Sequence, residues 1–272
     1  MRKWLAKLRE RAEARGLAVR PMTSNQDGRY AGFSLSWGHG AAKQLRGLIA
    51  EITDERGTVR MLVTNERDII QKEHAQGRFY EREELDLIAR YFTGGTYVDV
   101  GANVGNHAAY LGKLLGAERM HLFEPNPDAF RLLEVNIALN NLTSVTQLYR
   151  LALSDAAGEA AMVHMTNNLG AARIAPEGDG EGAMVSLARG DDVLGGERVD
   201  FIKIDVEGHE LAVLRGLERV LREQSPTLFV EVEDHNCAEL DVLMHASNYR
   251  VAEQIQRYPG RRNFLCVPSE KP

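Results

Sequence analysis

The sequence predicts an α/β fold: a mostly parallel sheet with helices on both faces, carrying an N-terminal α+β elaboration. Three observations lead there. From Thr96 onward, short apolar runs alternate with helix-length segments, the rhythm of strands joined by helical crossovers. One of those runs, YVDV, passes directly into the glycine-punctuated turn GANVG and a following helical segment. The 272 residues are 44% hydrophobic and 26% charged, an ordinary globular balance with enough chain for one large domain and a real core.

Taken in order, residues 2–15 read as a basic amphipathic helix with Trp4, Leu5, Leu8 and Ala12 along one face. Its Lys3, Lys7, Arg9, Arg11 and Arg15 would suit an anionic membrane surface, but docking of the apolar stripe on the protein is the plainer reading. The same stripe offers a face for pairing two copies, so an oligomer stays open. Arg29–Trp37 alternates like a half-buried strand, Gln44–Ile52 looks helical, Thr58–Thr64 strand-like and Arg82–Tyr91 helical. Residues 1–78 are therefore expected to form a helix and small α+β cap, and residues 79–272 the main domain.

Within the main domain, strands are expected at Thr96–Val100, Arg119–Phe123, Val145–Tyr149, Val199–Ile204 and Leu228–Val232. Helices are expected at Val104–Leu115, Asp128–Asn140 and Glu210–Glu223. Ala160–Leu194, with NNLGAARI and EGDGEG, reads as an insertion or active-site loop. Its Asn167, Asn168 and Gly170 either close over a ligand or simply build a polar turn. A helix near Ala238–Ala246 follows, then two strand-like runs, Arg250–Gln254 and Asn263–Val267, joined through YPGRR.

Composition sets limits on function. With 33 basic and 39 acidic side chains the net charge is −6, which argues against broad binding of a nucleic-acid backbone. No apolar stretch approaches the ~18 residues of a membrane span. The first residues lack the apolar core of a signal peptide, so the cytoplasm is the default expectation. Cys237 and Cys266 form no CxxC pair, so neither a disulfide framework nor a cysteine zinc site is expected.

The strongest local signal is YVDVGANVGNHAAYLGKLL at 97–115. An apolar strand carrying Asp99 turns through Gly101 and Gly105 and opens a helix. A Cβ in such a turn would obstruct a ligand's approach or strain the backbone, and in open α/β sheets this crevice is where ligands bind. The next strand ends HLFEPNP, which places Glu124 at its tip, where a carboxylate accepts hydrogen bonds from a ribose diol. A carboxylate held there for its ligand is expected to contribute little to stability. A dinucleotide fingerprint wants glycine where this chain has Asn103. Asp99 beside the turn is awkward for a pyrophosphate but suits the ammonium or sulfonium of S-adenosylmethionine.

DVGANVG, FEPNP, ALSD at 152–155 and above all FIKIDVEGHE at 201–210 resemble the FkbM-type S-adenosylmethionine-dependent methyltransferases, in order, from about Phe79 to about Val232. The resemblance implies a class I methyltransferase, Rossmann-like fold with a seven-stranded sheet. It implies action on a hydroxyl oxygen of a sugar, glycan, polyketide or similar small metabolite. By the same resemblance Asp99, Gly101, Asn103, Gly105 and the adjoining Asn106 line the methionine part of the donor. Glu124, with Pro125 and Asn126 in its turn, holds the ribose, and Ser154 and Asp155 lie beside the adenine.

The FIKIDVEGHE block also reads physically. Phe201–Ile204 is a buried-strand run, and Asp205, Glu207, His209 and Glu210 crowd the carboxyl end of the sheet, where ligands bind. So many carboxylates are costly together unless something positive or a proton relay shares the space. Asp205 would orient or deprotonate the acceptor, or help bind the donor or a metal. His209 is either a general base or a helix-start histidine held by a neighbouring carboxylate. FVEVEDHN adds Glu231, Glu233, Asp234 and His235 to the same rim. Asp205 with Glu231 could then hold Mg²⁺, or one carboxylate could bind the acceptor directly. Two other readings stay open: a nicotinamide-dependent oxidoreductase, which the missing glycine and the lack of a Tyr-x-x-x-Lys pair disfavour, and a donor-binding scaffold without catalysis.

Overall fold

In the computed structural model, residues 17–21, 32–37, 45–165, 168–174 and 182–269 are described. The helix expected over 2–15 and the predicted loop residue Asn167 lie outside them. The chain first builds a four-stranded antiparallel meander: β1 (Leu17–Pro21), β2 (Gly32–Trp37), β3 (Leu45–Asp54) and β4 (Gly57–Val63). β3 corrects the helix expected over Gln44–Ile52. Its side chains alternate, with Ala50 and Ile52 buried and Glu51 and Thr53 exposed, and a tight turn returns it onto β4. That is the period of a strand, and pairing with β4 decides between two patterns a short run cannot separate.

Helices α1 (Ile69–Ala75) and α2 (Arg82–Tyr91) follow. α1 was not legible in the sequence; Asp68 caps it by accepting from the N–H groups of Ile70 and Gln71. Next comes β5 (Thr96–Val100), buried at every position, as a strand covered on both faces must be. It is the third strand from one edge of a seven-stranded sheet with order β14-β15-β13-β12-β5-β6-β7. The remaining members are β6 (Arg119–Phe123), β7 (Thr146–Tyr149), β12 (Phe201–Ile204), β13 (Thr227–Glu233), β14 (Tyr249–Ile255) and β15 (Arg261–Pro268). β15 alone runs antiparallel to both its neighbours. This is the mostly parallel, Rossmann-like class I methyltransferase sheet that the sequence predicts.

Helices α3 (Asn106–Lys113) and α4 (Pro127–Leu139) pack with α2 on one face, through Leu85, Ile88, Tyr110, Leu111 and Leu133. The same core includes Ile52, Val59, Met61 and Leu62 of β3 and β4. On the other face lie α6 (Glu210–Gly216), α7 (Glu218–Gln224) and α8 (Cys237–Ala246), through Val213, Leu214, Leu221 and Met244. The single helix expected over Glu210–Glu223 is broken at Leu217, and the adjacent Gly216 passes against the Ser154 carbonyl, where a Cβ would lie 2.0 Å from the oxygen.

Ala160–Leu194 is a second correction. Much of the expected loop is sheet: β8 (Ala152–Ser154), β9 (Gly158–Met165), β10 (Asn168–Ile174) and β11 (Ala183–Arg189) pair in the order β10-β9-β11-β8, ahead of the short α5 (Gly190–Leu194). Glycine here serves close strand approach: a Cβ on Gly182 would meet the Met162 carbonyl at 2.4 Å. Among the described residues no helix is long and apolar enough to cross a membrane.

The chain leaves β5 outward through β6 and β7, then returns to β12 on the other side. The strand order therefore reverses between β5 and β12, and their carboxyl ends open a crevice at that switch point.

Candidate active site

The turn after β5 is shaped by its neighbours. The N–H groups of Gly101 and Ala102 both donate to the Phe123 carbonyl at the tip of β6, each at 3.0 Å. Gly101 adopts φ 83°, and a Cβ there would stand 1.9 Å from the Asp205 backbone oxygen. Glycine is thus required for β5 and β12 to converge, a reason beyond the ligand approach expected from sequence. Gly105 (φ 87°) starts α3, and its missing Cβ makes room for the Leu133 side chain. It supports the turn from behind and does not line the cavity.

Lys203 was missed by sequence reasoning, although a lone lysine inside the apolar run FIKI is a signal. It is 3% exposed, donates to the Gly101 carbonyl at 2.9 Å, and lies 3.3 Å from Asp99 Oδ1 and 3.4 Å from Asp205 Oδ2. Burial presses its pKa down, but the carboxylates of Asp99, Asp205 and Glu81 outweigh that and hold it above the ordinary lysine range. Asp99 itself is completely buried behind the turn, with Lys203 answering its charge. The expected contact of Asp99 with the donor is therefore corrected: its carboxylate anchors the lysine that braces the glycine turn.

Glu124 does reach the cavity. One carboxylate oxygen accepts from the Asn103 N–H at 2.8 Å, the other from the Asn126 N–H at 2.7 Å. Burial pushes its pKa up to about 7 against those two bonds. Each oxygen keeps a further lone pair for a ligand hydroxyl. Asn126 is a cap, accepting from the Asp128 N–H at the start of α4, and does not line the cavity. Asn106 ties three elements together, meeting His74 of α1 at 2.9 Å and donating to the Tyr80 carbonyl at 2.9 Å.

The cavity above the switch point has a volume of about 280 Å³. Its lining includes the apolar Phe123, Pro125, Leu153, Met162 and Ile174, together with Glu124 and the glycine turn. The same lining carries the polar and charged groups Tyr80, Glu81, His107, Lys203, Asp205, Glu207, His209, Glu231, Tyr258 and Arg261. Of the residues expected at the site, Gly101, Asn103, Asn106, Glu124, Pro125, Asp205, His209 and Glu231 line one cavity, drawn together from four strand ends.

Ser154 and Asp155 do not line it; the adenine contacts expected of them give way to a contact with His209. A carboxylate only accepts, so the Ser154 hydroxyl donates to Asp155 at 3.2 Å and its oxygen accepts from His209 Nε2–H at 2.9 Å. The neutral ring then carries its lone pair on Nδ1. Burial lowers the His209 pKa and the Asp155 charge opposes that, so the ring is neutral at pH 7. Glu210 faces inward, accepting from the N–H groups of Val206 and Gly208; burial pushes it up to about 7. It shapes the loop instead of joining the chemistry.

Asp205, Glu207 and Glu231 bring ligand atoms within 4.8 Å of one another. Arg261 pairs with Glu207 and, at 3.4 Å, with Glu231. A guanidinium therefore supplies the positive charge that the sequence reading offered to Mg²⁺. Burial and the nearby Asp205 still push Glu231 up to about 9. Arg261 sits on β15, far from the motif block in sequence, and only the antiparallel pairing of β15 with β13 delivers it.

Residues 99–251 match the methyltransferase FkbM domain. The chain belongs to the FkbM methyltransferase family. It is 28% identical over 203 residues to the methyltransferase sdnD of Sordaria araneosa, covering 58% of this chain and 78% of that protein. It is 29% identical over 173 residues to the hexuronic acid methyltransferase AglP of Haloferax volcanii, covering 61% of this chain and 67% of AglP. Among solved structures, the FkbM methyltransferase of Methylobacillus flagellatus KT aligns at a TM-score of 0.47 and 18% identity over 63% of this chain. This chain spans 43% of that protein's length. Membership in the FkbM family makes the protein a methyltransferase, and the nicotinamide alternative lapses. The family match runs from β5 into β14, so Tyr80, Glu81, Tyr258 and Arg261 stand outside it.

Proposed function

We propose that this FkbM-family protein is an S-adenosylmethionine-dependent O-methyltransferase whose acceptor is a hydroxyl of a sugar, glycan, polyketide or similar small metabolite. One observation carries the reading: a single cavity joins Glu124 at the tip of β6 to Asp205 and His209 beyond β12. The donor supplies an electrophilic methyl group on a sulfonium. The residues fit such a donor. Glu124 retains acceptor capacity for a diol, the apolar lining residues suit a flat base, and the carboxylates suit positive charge.

His209 accepts the acceptor's proton at Nδ1, because Ser154 occupies Nε2. Asp205 orients the acceptor hydroxyl beside it, while Lys203 holds the Asp205 carboxylate and the Gly101 carbonyl in fixed positions. Alignment of oxygen, carbon and sulfur does most of the remaining work. Residues 79–272 are read as the methyltransferase domain and 1–78 as a cap, whose Ile69 and Ile70 reach the cavity rim and bear on acceptor choice. The carboxylates lining the cavity favour a small acceptor over the phosphate backbone of a nucleic acid.

The test uses purified protein, methyl-labelled S-adenosylmethionine and a host metabolite extract. A small hydroxylated metabolite should gain one methyl group, with S-adenosylhomocysteine released. Label appearing only in RNA, or in no molecule, would reject the reading.

A further inference from the structure

Glu81 and His107 face one another across the cavity wall in an unusual state. Glu81 Oε2 lies 3.9 Å from His107 Nε2, too far for a hydrogen bond. His107 is 5% exposed, and its Nε2 has no hydrogen-bond partner. A buried polar atom left unpaired is costly, and such atoms call for an explanation. Both residues line the cavity.

Glu81 is set up for this position. It precedes α2 and its carbonyl accepts from the Leu85 N–H, yet its side chain makes no cap bond to its own helix. Its backbone takes the left-handed conformation (φ 56°), which a non-glycine residue holds only when its surroundings enforce it. The enforcement is visible next door, where Asn106 grips the Tyr80 carbonyl. The other charges nearby are already engaged: Lys203 with Asp99 and Asp205, and Arg261 with Glu207 and Glu231.

We propose that Glu81 and His107 together form the seat for a primary ammonium group, that of the amino-acid end of the methyl donor. Two acceptors 3.9 Å apart can both stand at about 2.9 Å from one nitrogen placed between them. The ammonium's hydrogens would then satisfy the carboxylate and the imidazole lone pair at once. Burial drives the His107 pKa well down, which keeps the ring neutral, and the tautomer with its proton on Nδ1 then offers the Nε2 lone pair. Burial and the neighbouring Asp205 push Glu81 up to about 8, and a cation beside it would draw it back to the ionised form. Glu81, His107 and Glu124, which would take the ribose, line the same cavity. This assignment rests on the donor reading above and extends it to Glu81, a residue outside the family match.

Calorimetry with two probes tests it without any acceptor. S-adenosylhomocysteine carries the amino-acid end, whereas 5′-methylthioadenosine shares the adenosine part and lacks the ammonium. Glu81→Gln, with His107→Gln as a second variant, should weaken S-adenosylhomocysteine about ten- to a hundred-fold and leave methylthioadenosine nearly unchanged. Thermal melts of both variants show whether each is folded. Equal effects on the two probes, or none on S-adenosylhomocysteine, overturn the proposal. Failure of the unsubstituted protein to bind either probe would instead overturn the donor reading, and this seat with it.

Discussion

His209 Nε2 and Ser154 Oγ stand 2.9 Å apart, so the imidazole's tautomer is set from outside the cavity. His209→Ala should lose about 10²–10⁴ in turnover, while its affinity for S-adenosylhomocysteine stays within error. Asp155→Asn, at an exposed position, removes the charge that opposes the burial shift on the ring. The His209 titration should then move to lower pH, and the acid limb of the pH–rate profile with it. Turnover retained in His209→Ala would move proton acceptance to another group at the rim.

Glu124 binds its own fold as well as a ligand. Glu124→Ala should weaken S-adenosylhomocysteine about ten- to a hundred-fold. It should also cost about 1–3 kcal/mol of stability by leaving the buried Asn126 N–H without an acceptor. The sequence alone suggested little stability loss; the two backbone bonds reverse that. A melting curve and a titration on the same sample separate the two effects.

The pH dependence of donor binding follows from the same carboxylate. With its pKa pushed up to about 7 by burial, Glu124 is ionised above that value and protonated below it. Ribose hydroxyls donate to the ionised form, so affinity should fall as pH drops from 8 to 6. Stability runs the other way. A folded pKa above the ordinary 4.5 favours the fold where the group is protonated, and this contribution is lost as pH rises from 4.5 through 7. Affinity that is flat with pH would remove Glu124 from the ribose.

Gly101→Ala should damage the fold before it damages binding. The new Cβ would sit 1.9 Å from the Asp205 carbonyl oxygen, at a φ that side chains resist. The expected result is a lowered melting temperature together with loss of donor binding. Normal stability with abolished binding would return the glycine to a purely ligand-facing role.

Arg261 already pairs with Glu207 and Glu231, so EDTA should leave turnover unchanged. Arg261→Met removes that cation from beside three carboxylates, and calorimetry should then detect Mn²⁺ binding absent from the unsubstituted protein. Activity lost to EDTA and restored by Mg²⁺ would reinstate a metal.

What the sequence determined by itself is local or periodic. β5 and β6 fall on the predicted residues because each is a short apolar run closed by a turn, a pattern that needs no partner to be read. The glycine turn, Glu124 and the FIKIDVEGHE block were legible for the same reason: their chemistry is packed into a few consecutive residues. Tertiary structure decided everything that depends on convergence. Gln44–Ile52 became a strand because β4 lies beside it, and the glycine-rich stretch became sheet because small residues let strands approach. Lys203 reaches Asp99 only because β12 is parallel to β5 in register, pairing those two positions. Glu81, Arg261 and the Ser154–His209 bond arise from segments dozens of residues apart. Spacing along the chain carries no information about such encounters; the topological reversal between β5 and β12 brings them to one crevice.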